Sequence, residues 1–361
     1  MRIVFNNFAV DWGGGERWTL RTAAGLAERG HSILLVGRTG TPLPVEARKS
    51  GLETVDLKPG PDYHLPMIFY LRTLLKRFGA DVLVAHHNRD IRTAGVAASS
   101  AAIPVVHRNG FPVLKNRLRH RFSHRFTRRI LTNSERIRDT YLGFGWIDPD
   151  TIDVVPNGIE PISPTADPAG IRRNWGVEQN SLVALYAGRL TGVKRVEDLL
   201  DAFAGLDPES RWTLVVMGEG RQAVSLRQKA ERLQLADRVH FTGFSDKAAH
   251  QFTAADLVVL PSSEEGMPNT LMEAMVQGIP VAATPVGDVP YLLDHGRAGS
   301  LVPVGDTGAW IRLLQSLEAD PSVLSDMGNR ARERIRSRFT LESMLDGVER
   351  SFNKALHGTQ R

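Results

Sequence analysis

Cysteine is absent from the 361 residues, which excludes disulfides and thiolate metal sites and fits a reducing, cytoplasmic setting. Also missing is any run of 18 apolar residues, so no membrane-spanning helix is expected. The opening segment, Met-Arg-Ile-Val-Phe-Asn-Asn-Phe, lacks the long apolar stretch and small-residue cleavage site of a signal peptide and reads as a first strand. With no cysteine and no His-x-x-x-His pair on a helix, a zinc site is not expected. Low-complexity tracts are missing, as is any recognisable nucleic-acid-binding motif, and the net charge of +5 is modest for this length. What is present is enough apolar material, 42% of residues, for real cores. The length suits two domains of ordinary size.

Short apolar runs alternate with helix-period segments, which predicts an α/β fold class with parallel sheets. In the first half the strand candidates are 2–8, 31–36, 53–57, 81–86, 104–107, 129–132 and 152–155, with helical patterns between them such as 16–28. A connection rich in proline and turn formers follows, through Pro156-Asn157-Gly158 and 161–168. A second series has strands at 182–187, 212–217, 238–242, 256–260 and 280–283, and helices at 196–204, 222–233, 248–254 and 269–277. The expected organisation is two doubly wound, Rossmann-like domains, 1–160 and 161–340, then a closing helix within 341–361 that is free to pack back on the first domain. In tandem, such domains present ligands to a crevice at the carboxyl ends of their strands.

The most informative segment is 262–275, Ser-Ser-Glu-Glu-Gly-Met-Pro-Asn-Thr-Leu-Met-Glu-Ala-Met, directly after an apolar run. Pro268 suits the first turn of a helix. The N–H groups of Gly266, Met267, Asn269 and Thr270 then form a phosphate-binding helix start. Glu265 before that helix and Glu273 on its second turn are acceptors for sugar hydroxyls, and phosphate donors beside two acids point to a nucleotide-sugar. Segment 183–194 ends a strand at Gly188-Arg189 and reaches Lys194, two cations fitted to neutralise a diphosphate leaving group; solvated surface cations are the plainer reading. Gly218 and Gly220 after a strand permit close backbone approach, or simply make a tight turn. Gly243 and Phe244 stand where backbone reads a base edge, though loop closure accounts for them equally.

In the first half, Gly13, Gly14 and Gly15 open a helix after the first strand. They are contiguous rather than spaced G-x-G-x-x-G, and strand two ends in Val36-Gly37-Arg38 without an acid, so a nicotinamide or flavin site is disfavoured. His86 and His87, and His107, end two consecutive strands and are candidates to serve a donor or acceptor sugar; structural or surface roles are the alternative. The stretch containing Lys115, Arg117, Arg119, Arg121 and Arg125, continuing to Arg129, carries Leu114, Leu118, Phe122 and Phe126 at helical spacing. It reads as a basic amphipathic helix for an anionic membrane surface or a glycolipid acceptor, or as a solvated face over an ordinary core stripe.

These pieces in this order resemble the retaining nucleotide-sugar glycosyltransferases of the GT-B fold, family 4. The resemblance rests on Gly188-Arg189-Leu190 with Lys194, Glu265-Gly266-Met267-Pro268-Asn269 with Glu273-Ala274-Met275, Gly278-Ile279-Pro280-Val281, and Val155-Pro156-Asn157-Gly158-Ile159. It covers roughly 152–303, and the first half matches more loosely through the glycines and strand order. It implies that Glu273 holds the nucleotide ribose, Glu265 the transferred sugar, and Arg189 and Lys194 the diphosphate. Asn269 and Thr270 N–H groups would assist, and Gly14 and Gly15 would approach donor phosphates or acceptor. It further implies retention of anomeric configuration, no metal or other cofactor, and a donor that is a UDP-sugar by preference, with GDP- or ADP-sugars as alternatives. The expected acceptor is a glycan or glycolipid, such as a lipopolysaccharide precursor, on the inner face of the plasma membrane. An active-site histidine usual in the family has His86, His87 and His107 as candidates, and the usual Gly-Gly pair after the last strand stands here as Gly287-Asp288. A nucleotide-sugar epimerase or phosphorylase of the same fold, and a non-catalytic sugar-nucleotide-binding protein, are the rival readings.

Overall fold

The structure is a computed structural model that describes residues 1–110, 118–163, 167–245 and 247–358. The chain divides into two compact units, Met1–Gly158 with Leu341–Arg361, and Ile159–Thr340.

The first unit is built on a seven-stranded sheet of β1 (Arg2–Asn7), β2 (Ser32–Arg38), β3 (Glu53–Leu57), β4 (Val82–Ala85), β5 (Val105–Asn109), β6 (Arg129–Thr132) and β7 (Ile152–Val154). The order is β3-β2-β1-β4-β5-β6-β7, all parallel. Strands covered by helices on both faces need apolar residues at every position rather than alternately; Val82, Leu83, Val84 and Ala85 are all buried. Chain order reverses between β1 and β4, so the carboxyl ends of these strands form a topological switch point. The closing helix Leu341–His357 belongs to this unit. Its Met344, Leu345, Val348, Phe352 and Ala355 share a core with Ile3, Phe5 and Leu26. Arg29 pairs with Asp346 at 2.7 Å and Glu349 at 2.8 Å, and Lys354 with Asp153 at 2.8 Å.

The second unit has β8 (Leu182–Ala187), β9 (Trp212–Met217), β10 (Val239–Gly243), β11 (Leu257–Leu260), β12 (Val281–Ala283) and β13 (Ser300–Leu301), again parallel, in the order β10-β9-β8-β11-β12-β13. Its switch point lies between β8 and β11, the two strands whose following loops carry Lys194 and Glu265. Both sheets are the doubly wound α/β arrangement predicted by the alternation of apolar runs and helical periods.

Three local expectations need correction. Segment 248–254 is a 3-10 rather than an α-helix: its bonds span three residues, as in His250 N–H to Lys247 O at 3.1 Å. Pro268 does not sit in the first helical turn but is the N-cap of Asn269–Gln277, with φ −76° and ψ 116°. Proline's fixed φ suits either place, and here its carbonyl accepts the first helical bond, from Met272 N–H at 3.4 Å. The basic segment is helical only over Leu118–His124 among the described residues, and Arg129 opens β6. The chain leaves the helix because Arg128 N–H donates to Val105 O at 2.7 Å, which draws it into the sheet. Its apolar stripe is divided: Leu118 is 86% and Phe122 47% exposed, whereas Phe126 packs against the core. Leu114, Lys115 and Arg117 lie outside the described residues.

Candidate functional site

In the second unit, the loops after β8 and β11 are tied together. Lys194 Nζ donates to Glu265 Oε1 at 2.5 Å, and Ser262 Oγ donates to the same oxygen at 2.7 Å. The backbone repeats the link: Ser263 N–H donates to Val193 O at 2.8 Å. Ahead of Lys194, the buried Tyr186 hydroxyl donates to the Arg189 carbonyl at 2.9 Å. Burial, then the nearby Glu265 carboxylate, push the Tyr186 hydroxyl well above its ordinary range, so it stays a donor. Arg189 itself is exposed, and no ion pair of the described residues involves it.

The helix Asn269–Gln277 starts beside these groups. Thr270 Oγ1 donates to Ala187 O, the last residue of β8, at 3.2 Å. Glu273, 5% exposed, lies one turn further on, with Leu271, Met272, Ala274 and Met275 buried around it. Gly188 and Gly218 end adjacent strands; Gly188 N–H donates to Met217 O at 3.0 Å, and Gly218 N–H to Gly243 O at 2.7 Å. Gly218 has φ 142°, and a Cβ there would stand 1.9 Å from Gly188 O, so this crossing admits only glycine. Phe244, next to Gly243, is 61% exposed. Gly266, Met267 and Pro268 are buried. Gly266 O accepts from Asp288 N–H at 3.0 Å. Gly287 has φ 58°, and a Cβ there would meet Glu265 O at 2.1 Å. The Gly287-Asp288 pair, a departure from the expected motif, therefore braces the Glu265 loop from below.

Gly287 is marked in the sequence by its place in the family pattern, whereas the hydroxyls of Ser262 and Tyr186 are not marked as site groups. Ser262 stood inside the highlighted segment, where a hydroxyl three residues before a carboxylate was the available signal. Tyr186 lies inside an apolar strand pattern, and nothing local marks its reach to Arg189.

In the first unit, Gly13 is the N-cap of the helix Gly14–Glu28, in extended conformation at φ −150°. Thr19 Oγ1 gathers this loop and the end of β4: it donates to Gly15 O at 3.0 Å, accepts from Asn7 Nδ2 at 3.1 Å, and meets His86 Nδ1 at 3.1 Å. Arg108, 3% exposed, lies over the Trp18 ring at 4.5 Å. Burial lowers its guanidinium to about 9, with Glu16 pulling the other way. His87 is half-buried and N-caps a short turn whose Asp90 carboxylate accepts from His87 N–H at 3.0 Å. His107 does not reach a surface. It is 1% exposed and packs edge-on against His124, ring centroids 5.0 Å apart. A strand covered on both faces buries its middle residues whatever their polarity.

These buried rings predict an acid-labile first unit. Burial holds His86 and His107 well below the ordinary 6.5, and His124 down to about 4. Below pH 6.5 the unfolded chain therefore binds more protons than the folded one, and stability falls with pH, for His124 down to about 4. Asp90 opposes this: burial raises its carboxyl from 3.8 to about 6, so its contribution grows as pH falls between those values. Three imidazoles outweigh one carboxyl, each acting with at most about 1.4 kcal/mol per pH unit. The melting temperature is expected to drop between about pH 7 and about pH 5; a level or rising value across that interval contradicts the account.

No group of three or more His, Asp or Glu residues suited to a metal occurs among the described residues. No described helix is long and apolar enough to cross a membrane.

The glycosyl transferases group 1 profile matches residues 169–334, and the glycosyltransferase family 4 profile matches residues 12–162. N-acetyl-alpha-D-glucosaminyl L-malate synthase of Bacillus anthracis is 32% identical over 184 residues, 51% of this chain and 48% of that protein. D-inositol 3-phosphate glycosyltransferase of Streptomyces bingchenggensis is 30% identical over 247 residues, 64% of this chain and 54% of that protein. The chain spans about half the length of the curated relatives it matches. Among solved structures, Anabaena HepE in complex with UDP-glucose superposes with a TM-score of 0.87 at 21% identity, covering 98% of this chain and 100% of HepE. That likeness is one of fold. With one profile on each unit and this fold across both, the chain belongs to the family 4 glycosyltransferases, group 1, of the GT-B fold.

Proposed function

We propose that this protein is a retaining glycosyltransferase that moves a sugar from a nucleoside-diphosphate sugar to a hydroxyl acceptor. The observation that carries the reading is the latch at the second unit's switch point, where Lys194, Glu265 and the start of the Asn269–Gln277 helix converge. Each part has a task. Glu273 accepts from the ribose hydroxyls and Glu265 from those of the transferred sugar. Arg189, Lys194 and the N–H groups at Asn269 and Thr270 face the diphosphate. The exposed Phe244 offers a flat apolar face to the base.

Charge accounting refines this assignment. With Glu265 at 2.5 Å, Lys194 contributes little net charge, leaving Arg189 and roughly half a charge from the helix start. A donor whose sugar hydroxyls occupy Glu265 releases Lys194 toward the phosphates as they depart. In the transfer step the bond from the anomeric carbon to the phosphate oxygen breaks. The acceptor oxygen bonds to that carbon on the same face, and its proton passes to the leaving phosphate. No carboxylate nucleophile is needed, which separates this site from a glycosidase pair.

A UDP-sugar is the preferred donor, supported by the likeness to a protein whose structure holds UDP-glucose. For the acceptor, the exposed Leu118 and Phe122 beside Arg119, Arg121 and Arg125 support a glycolipid or lipopolysaccharide-type precursor at an anionic membrane surface. A second reading, a small soluble hydroxy acceptor, is favoured by the relatives named for inositol 3-phosphate and L-malate. A thermal-shift screen against UDP-, GDP- and ADP-sugars without added metal tests the donor, because a ligand of the folded state raises the melting temperature. One donor is expected to stand out and to release nucleoside diphosphate slowly. A donor that binds with neither transfer nor hydrolysis moves the reading to a binding protein.

A further inference from the structure

The last turn of the helix Leu118–His124 faces a cavity of about 260 Å³ whose other wall is the loop leading to β7. Arg121, Arg125, Thr127 and Arg128 line it from one side, Trp146 and Asp148 from the other. Thr127 lies two residues before β6, and Asp148 four residues before β7, so the cavity lies at the amino ends of those strands. The Gly14 loop and His86, by contrast, follow carboxyl ends.

Its positive charge is only partly compensated. Arg129, also in the lining, is committed to Asp153 at 2.5 Å. Arg128 donates to the Gly358 carbonyl. Arg121 and Arg125 make no ion pair among the described residues; Arg125 lies over the Phe122 ring at 5.4 Å. Asp148 is the only carboxylate in the lining, and it is engaged as a cap, accepting from Asp150 N–H at 3.0 Å. The Asp148 carboxylate and a helix end together offset about one and a half charges, well short of three guanidinium groups. Two polar atoms of the lining, Thr127 Oγ1 and His124 Nδ1, are buried without a hydrogen-bond partner. Buried polar atoms are ordinarily satisfied, and these two are left able to bond to water or to a ligand.

We propose that this cavity binds a phosphate monoester, with Arg121 and Arg125 holding the phosphoryl oxygens and the Thr127 hydroxyl donating to one of them. Guanidinium groups match phosphate in both charge and geometry. The space equals roughly nine waters, which exceeds a bare phosphate and leaves room for a substituent such as glycerol or a sugar along the Trp146 ring. The ligand's phosphate comes either from a soluble metabolite or from a lipid headgroup. For Arg121 and Arg125 the site sharpens the membrane-surface part of the proposed function, and it stands apart from the transfer step.

The test is calorimetric titration of the full chain with glycerol 1-phosphate, together with co-flotation on phosphatidylcholine vesicles with and without phosphatidic acid. The variants are R121Q/R125Q, T127V and, on the neighbouring helix Glu135–Leu142 outside the cavity, R136Q. Saturable binding is expected, weakened about tenfold or more by R121Q/R125Q and several-fold by T127V, and unchanged by R136Q. Binding of glycerol 1-phosphate alone assigns a soluble source; flotation with phosphatidic acid that R121Q/R125Q abolishes assigns a lipid. Absence of both, or a loss in R136Q equal to that in R121Q/R125Q, overturns the site in favour of diffuse surface charge. Melting curves by circular dichroism verify folding. A failed nucleotide-sugar screen with phosphate binding intact overturns the transferase reading alone.

Discussion

Lys194→Ala is expected to lower kcat by a factor of about 10² to 10³, with a smaller change in KM for the donor. That is the usual loss on deleting one group that meets charge as it develops, about 2.7–4 kcal/mol of transition-state stabilisation. The structure adds a second consequence. Glu265, whose side chain is 10% exposed, takes Lys194 and Ser262 on one oxygen. Removing the lysine leaves a nearly buried carboxylate supported by a single hydroxyl, a cost of about 1–3 kcal/mol in stability. The two effects separate in the double variant Lys194→Ala with Glu265→Gln. Its melting temperature should return toward that of the parent protein while kcat remains low. A folded Lys194→Ala protein that turns over like the parent sinks the assignment of Lys194 to the leaving group.

Glu273→Ala is expected to act on binding instead. The carboxylate is 5% exposed on a helix whose neighbouring residues are packed in the core, so its position is fixed before any ligand arrives. Hydrogen bonds to a charged group contribute about 1.5–3 kcal/mol each, which predicts a Kd for the donor weakened by about 10- to 150-fold. A ribose contact is the same in ground and transition states, so kcat at saturating donor should change little. Calorimetric titration with the donor found in the screen gives the Kd directly. Equal affinity in a variant with an unchanged melting temperature removes Glu273 from the donor site.

The fold was legible because parallel sheets demand what local sequence displays. Leu182–Ala187 and Trp212–Met217 are apolar at nearly every position and bounded by turn formers, and Val196–Ala204 and Asn269–Gln277 carry a helical period. β13 was missed because two residues, Ser300 and Leu301, display no period. The 3-10 segment Ala248–Ala254 was read as α because both forms place apolar residues three to four apart. For the candidate site, local pattern marked Lys194 and Glu265 as residues beyond strand ends. That they touch follows from β8 and β11 being neighbours in the sheet, a fact about strand order that no window of sequence holds. His107 shows the converse. A strand-end motif promised an accessible ring, but depth in the sheet is set by tertiary packing, and the ring is buried.

The division of the chain has a consequence for its synthesis. The unit Ile159–Thr340 is continuous, whereas the first unit draws on both Met1–Gly158 and the helix Leu341–His357. Ribosomes add residues in order, and domains fold as their residues emerge. The early segment must therefore wait, with the seat of that helix uncovered, until some 180 further residues have been made. Met344, Leu345, Val348 and Phe352 then bury apolar surface that stayed open through that interval, at about 1.5–3 kcal/mol per side chain. The second unit is thus the first to reach a finished core. During translation the nascent chain is most exposed to misassociation along the very face where Gly25, Leu26 and Arg29 later receive the last helix.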